Sequence, residues 1–226
     1  MKFLTISKFL LIIILPFILF LLVLNFVGFD NSFYYQKFLE YGVQKDIPEA
    51  AQLHEKVINF ITGKSNEIPS EFNEREGQHL ADVREIVRIS TAIMYIFIIL
   101  FVLLMIASVF VLKVNIYIIN FVGKIFVFGG ILTIILAAIL FFFINSGFSS
   151  TFESFHMLFF KKNTYTFDPL KEIIVRLYPE QLFMDLGAKI SKWVILGSAA
   201  VIITGIFLIL KPKAKRIKTN KKPHSN

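Results

Sequence analysis

An all-α membrane protein, with four transmembrane helices and an extracellular cap made from two outer segments, is the fold the sequence predicts. Three observations predict it. Hydrophobic residues make up 56% of the 226 positions, too many for an ordinary soluble domain. Four stretches, 9–29, 89–112, 125–145 and 193–210, are each long enough to span a bilayer core and contain no Asp, Glu, Lys or Arg. The charges between them are segregated: all 16 acidic residues fall within 30–88 and 146–192. Basic residues occupy the N-terminus (Lys2, Lys8), the segment after the second stretch (Lys113, Lys124) and the tail beyond Leu210. By the positive-inside rule both termini are cytoplasmic and the two acidic segments are extracellular. The protein is then a multi-pass membrane protein. With no charge inside any span, ion conduction, proton relay and voltage sensing at the bilayer centre are disfavoured.

In chain order, the first stretch is longer than a signal-peptide core, and its far end, NFVGFD, lacks a small-x-small cleavage site. It is expected to be a retained helix, with Pro16 as a possible kink. Segment 30–88, the first half of the cap, includes DIPEAAQLHEKVINFITG, a helix with Pro48 near its first turn and Gly63 past its end. Ala50, Leu53, Val57 and Phe60 form its apolar face. His54 begins HEKVI, but Ile58 stands where a zinc-protease pair needs its second histidine, so His54 is read as structural.

After a turn-rich joint, EFNEREGQHLADVREIVRI runs without a break into the second span. Asn73 and Glu76 form a box-like N-cap signature, which starts the helix near residue 74. His79 is followed at helical spacing by Asp82, Val83 and Ile86, a mixed stripe that should leave the histidine partly covered, either as a packed core residue with Asp82 as its partner or as a functional group. The third span ends at FFFINSGFSS, where Gly and Ser break the helix. Segment 146–192, the second half of the cap, holds FHMLFF, KKNT and YTFDP, read as a hairpin lying at the membrane interface. His156 sits among Phe155, Phe159 and Phe160, surroundings that disfavour its charged form. LKEIIVRLYPEQLFMDLG is an amphipathic helix that Pro179 restarts towards the fourth span. The cytoplasmic tail 211–226 accounts for much of the net charge of +8, so it reads as a topological anchor near anionic lipid rather than a nucleic-acid surface.

Standard motifs are absent. There is no GxSxG, P-loop, GxGxxG or CxxC, and no cysteine at all. Nucleotide, dinucleotide, serine-elbow and thiol chemistry are therefore unsupported. His79 and His156 remain, on the same predicted side and near a membrane boundary. Their spacing leaves three readings open: packing, acid–base chemistry near neutral pH, or a metal shared with Asp82 or Glu76.

FNEREGQHLADV, SFHMLFF and YTFDPLKEIIVRLYPEQLF, set among four spans, resemble the bacterial lipoprotein intramolecular transacylases. Tyr165 stands where Trp is expected in that pattern. The resemblance implies a membrane enzyme that moves the acyl chain from sn-2 of the diacylglyceryl group onto the α-amino group of a lipoprotein's N-terminal cysteine. Its partners are diacylglyceryl-modified lipoproteins and membrane lipids, with no nucleic acid, and the chain is taken as a monomer. Matched residue by residue, the catalytic positions fall on His79 and His156. Asp82, Phe155, Phe159, Tyr165 and Phe167 are candidates for the substrate-binding wall. Turning an ester into an amide is downhill, and the intramolecular geometry supplies much of the rate, so no metal and no cofactor is expected. The different class of function left standing is a non-enzymatic protein whose cap binds lipid or lipoprotein.

Overall fold

The computed structural model describes residues 2–160 and 164–219, with side chains to Lys211. The polar turn predicted around Lys161–Asn163 and residues 220–226 of the basic tail lie outside the described residues. Within the described residues every regular element is helical: α1 (Lys2–Val27), α2 (Asn31–Glu40), α3 (Val43–Asp46), α4 (Ala50–Ile61), α5 (Glu74–Leu112), α6 (Asn115–Ser146), α7 (Phe148–Phe159), α8 (Ile173–Leu177) and α9 (Glu180–Thr219). Four of them, α1, α5, α6 and α9, are long and apolar enough to cross a membrane. The helices overrun the apolar stretches read from the sequence. α5 takes in the charged turns before residue 89, and α9 begins at Glu180 rather than near 193. A helix has no reason to end where its apolar face ends, provided its outer turns are capped and solvated.

Contacts divide the chain into two units. The first gathers the chain up to Leu22, Met94–Ile139 and the chain from Ser191 onward. Its helices approach closely through glycine. A Cβ on Gly205 would lie 2.8 Å from the Gly123 carbonyl oxygen, and one on Gly130 would lie 2.5 Å from the Ile202 side chain, so the backbones of α6 and α9 pack as small residues allow in lipid. Leu11 and Ile125 are fully buried, and the Ser7 and Ser108 hydroxyls hydrogen-bond at 2.5 Å between α1 and α5.

The second unit, Val23–Ile93 with Leu140–Ile190, carries an ordinary hydrophobic core. The predicted face of α4 is buried: Ala50, Leu53, Val57 and Phe60 are all at most 4% exposed. The chain leaves α4 through Gly63 at φ 79°, a left-handed residue that glycine adopts without strain. His54 is buried in the same core. Its Nδ1 lies 2.9 Å from the Tyr178 hydroxyl, and the Tyr34 ring packs 4.1 Å from its own. Burial lowers its pKa to about 4. Ion pairs join the α2 region to α9: Lys189 to Asp30 at 2.9 Å and Lys37 to Asp185 at 2.5 Å, with the Tyr41 hydroxyl donating to the same Asp185 carboxylate.

Candidate functional site

The N-terminal turn of α5 is fixed by a reciprocal cap. The Asn73 side-chain oxygen accepts from the Glu76 amide at 3.0 Å, and the Glu76 Oε2 accepts from the Asn73 amide at 2.8 Å. This is the box the sequence predicts. The structure adds the other oxygen: Glu76 Oε1 accepts from the Ile174 amide at 2.8 Å, and the side chain is 1% exposed. One carboxylate therefore starts α5 and holds down the first turn of α8. Its neighbour Arg75 does similar work on the segment before α8. Arg75 Nη2 donates to the Thr166 carbonyl at 2.5 Å and to Glu172 at 2.9 Å, and its guanidinium lies 4.9 Å over the Phe167 ring. Glu172 in turn accepts from the Asp168 amide at 2.6 Å. Residues 164–174 are thus strapped across the first turn of α5.

The hairpin expected around FHMLFF and YTFDP is corrected here. Phe148–Phe159 is helix α7, and YTF is irregular chain. Gly147 separates α6 from α7, as the sequence suggests. Helical spacing then puts Phe152 one turn before His156, and His156 Nδ1 lies 2.7 Å from the Phe152 carbonyl oxygen. A carbonyl can only accept, so Nδ1 carries the proton and the Nε2 lone pair of the neutral ring is left available.

The two histidines meet. Their rings are nearly parallel, 6.2 Å between centroids with 19° between planes. Phe160 closes one side, 4.7 Å from His79 and 5.2 Å from His156. Phe167 meets His79 edge-on at 5.3 Å, Tyr165 lies 5.3 Å from His156, and Phe152 lies 4.2 Å from it. His79 is 8% exposed and its Nδ1 has no partner among the described residues. Burial, reinforced by the proximity of His156, lowers the His79 pKa to about 4. Burial also lowers that of His156, against the opposing effect of the Phe152 carbonyl. Both rings are neutral at pH 7.

The other predicted wall residues divide. Tyr165 and Phe167 are brought to the histidines. Phe155 lies 5.6 Å from His156 yet is 47% exposed, and Phe159 is 50% exposed, packing on Phe155 rather than on either imidazole. Asp82 as the partner of His79 is also corrected. It is half-buried one turn along α5 and forms no hydrogen bond or ion pair with a described residue, because the His79 ring packs on aromatic neighbours instead. Glu76, weighed as a metal ligand, has its oxygens on two backbone amides. Among the described residues no cluster of three metal-ligating side chains occurs. Sequence reasoning passed over Arg75, Glu172 and Phe152. Only Phe152 had a sequence signal, its i−4 spacing from His156.

No curated protein sequence matches the chain. The solved structure of the membrane integral lipoprotein intramolecular transacylase Lit from Bacillus cereus is similar with a TM-score of 0.81 and 22% identity, covering 93% of this chain and 97% of that one. Two further structures of the Bacillus cereus protein, with a histidine replaced by arginine or by alanine, each give a TM-score of 0.77 at 22% identity. They cover 93% of this chain and 94% and 95% of theirs. These likenesses establish the four-helix membrane fold. The family model described as lipoprotein intramolecular transacylase Lit matches residues 9–183, and the chain therefore belongs to the lipoprotein intramolecular transacylase family.

Proposed function

We propose that the protein transfers the acyl chain at sn-2 of a lipoprotein's diacylglyceryl group to the α-amino group of the same N-terminal cysteine, with His79 and His156 as the catalytic pair. The observation that carries this reading is the pair itself: two neutral, near-parallel imidazoles 6.2 Å apart inside an aromatic enclosure. Attack needs a neutral amine, whose ordinary pKa is about 8. The amine nitrogen bonds to the ester carbonyl carbon and gives its proton to His156 Nε2, the lone pair left available by the Nδ1 hydrogen bond. His79, neutral and buried, offers an N–H to the oxyanion of the tetrahedral intermediate. The bond to the glycerol oxygen then breaks and that oxygen takes the proton back from His156, leaving an amide and a free sn-2 hydroxyl. Nucleophile and electrophile belong to one molecule, so the enzyme's contribution is to hold the ring of reacting atoms closed and dry. Asp82, half-buried one turn from His79, is suited to draw in the substrate ammonium before it is deprotonated. The charge pattern supports an extracytoplasmic site, with residues 30–88 and 146–192 outside and both termini in the cytoplasm.

The test is tandem mass spectrometry of the N-terminal lipopeptide of a reporter lipoprotein co-expressed with the wild-type chain, His79→Ala or His156→Ala. Intact mass cannot report the reaction, because moving an acyl chain within one molecule makes an isomer. Fragment ions showing an N-acyl cysteine with one chain on glycerol, with wild type only, are expected. Conversion that survives both substitutions refutes the assignment.

A further inference from the structure

Beyond the histidine pair, one open depression of about 390 Å³ lies at the start of α5, lined by Asn73, Glu74, Arg75, Gln78 and Glu172. It adjoins the reaction site through a single ring: Arg75 covers Phe167 at 4.9 Å, and Phe167 meets His79 at 5.3 Å. We propose that this depression seats the second and third residues of the substrate polypeptide, and that Glu74 makes it prefer basic or neutral side chains there over acidic ones. The proposal rests on the transacylase reading, which puts the cysteine amine at the histidines and leaves the rest of the lipoprotein to exit.

The direction of exit follows from α5. The helix runs from Glu74 towards its apolar stretch, so its first turn lies further from the membrane-spanning part than His79 does. Four residues of helix, from Arg75 to His79, cover about 6 Å at 1.5 Å each, and two residues of extended peptide cover about the same at 3.3 Å each. A cysteine amine beside the imidazoles therefore delivers its next two residues to the depression, while the acyl chains take the opposite, apolar direction.

The lining suits a peptide. The Asn73 side-chain oxygen is used by the Glu76 amide, which leaves its NH2 free to donate to a peptide carbonyl. Gln78 is exposed and offers both a donor and an acceptor. Of the three charged residues, Arg75 and Glu172 form an ion pair at 2.8 Å, whereas Glu74 is exposed and pairs with no described residue. Its unbalanced negative charge is the feature that discriminates. A charge about 7 Å away at the water interface changes a rate constant by about threefold, less at high salt.

The experiment uses the full-length protein in detergent and two synthetic diacylglyceryl lipopeptides differing only in lysine or aspartate at the second and third positions. They are mixed and followed by fragment-ion mass spectrometry. The ratio of their kcat/KM values is read for each variant against wild type, so the charge of the micelle cancels. Wild type is expected to favour the lysine peptide. Lysine and aspartate differ by two charges, so at about threefold per charge Glu74→Gln should lower that ratio by at least about tenfold and Glu74→Lys by at least about a hundredfold, mostly through KM, with the differences collapsing in 0.5 M salt as about a 4 Å screening length implies. Glu55→Lys, which changes an exposed carboxylate on α4, should leave the ratio unchanged. Equal ratios for wild type and both Glu74 variants overturn the proposal while leaving the activity standing, and so does an identical shift with Glu55→Lys. Conversion of neither peptide by the wild-type protein instead overturns the reading on which the proposal rests.

Discussion

Glu76→Gln is the sharpest test of how the site is held together. The carboxylate accepts from two backbone amides, Asn73 and Ile174, each at 2.8 Å, with 1% of the residue exposed. A glutamine keeps one accepting oxygen but turns an NH2 group towards the other amide, so one buried N–H loses its acceptor and faces a donor. Hydrogen bonds to a charged group contribute about 1.5–3 kcal/mol, and the orphaned donor adds a desolvation penalty, so Glu76→Gln should cost about 2–3 kcal/mol. Glu76→Ala strands both amides and should cost about 3–5 kcal/mol. For a chain of this size about 2–4 °C of melting temperature accompanies each kcal/mol, which puts Glu76→Gln about 5–10 °C below wild type. The released segment carries Tyr165 and Phe167 against the imidazoles. Displacing it by about 1 Å should cut kcat by up to about a hundredfold. The assay is thermal unfolding in detergent alongside lipopeptide conversion, with Glu55→Gln, at an exposed carboxylate of α4 that touches neither amide, as the control. A Glu76→Gln protein that melts and turns over like wild type would refute the claim that this carboxylate clamps residues 164–174.

Three other outcomes are expected. The folded pKa values of His54 and His79, about 4, lie below the unfolded value near 6.5, so the unfolded chain binds more protons between those limits. Their contribution to stability, about 3 kcal/mol each at most, is complete above pH 6.5 and is lost as pH falls towards 4. Melting temperature measured from pH 7.5 to 4.5 should fall, and His54→Gln should flatten that fall. His54→Ala should cost about 2–4 kcal/mol by emptying a fully buried position, lowering the melting temperature while the specific activity of the folded protein stays at the wild-type level. Arg75→Ala should lower kcat by releasing Thr166, Phe167 and Glu172 together, and Arg75→Lys should recover only part, because an ammonium cannot reproduce the planar contacts of a guanidinium.

The long helices were legible because periodicity is irrelevant inside lipid: length and absence of charge suffice. The start of α5 was legible because a capping box is local, its partners three residues apart. The second bond of Glu76 joins residues 98 apart in sequence, and no local pattern encodes it. The same holds for Arg75 and Glu172. The stretch 155–160 was misread for a different reason. Four of its six residues are aromatic or leucine in near-continuous order, and such a run carries neither a period of 2 nor one of 3.6. Read as a helix, it would have placed Phe152 beside His156. Asp82 failed as a partner for the complementary reason: correct spacing along one helix puts two side chains on the same face, but the packed aromatic rings decide where the imidazole turns.

The two imidazoles are tethered differently, and that difference has an outcome of its own. His156 is leashed to a carbonyl four residues back in its own helix, a bond that survives as long as that single turn survives. His79 is kept in place by rings arriving from Phe160 and Phe167, far along the chain. Gentle loosening by detergent or heat should therefore unsettle the two in sequence. In nitrogen NMR of ring-labelled protein, His79 should begin to average between its tautomers and take up protons while His156 still shows a fixed Nδ1–H. In the proposed mechanism, the partner for the oxyanion would then be lost before the base.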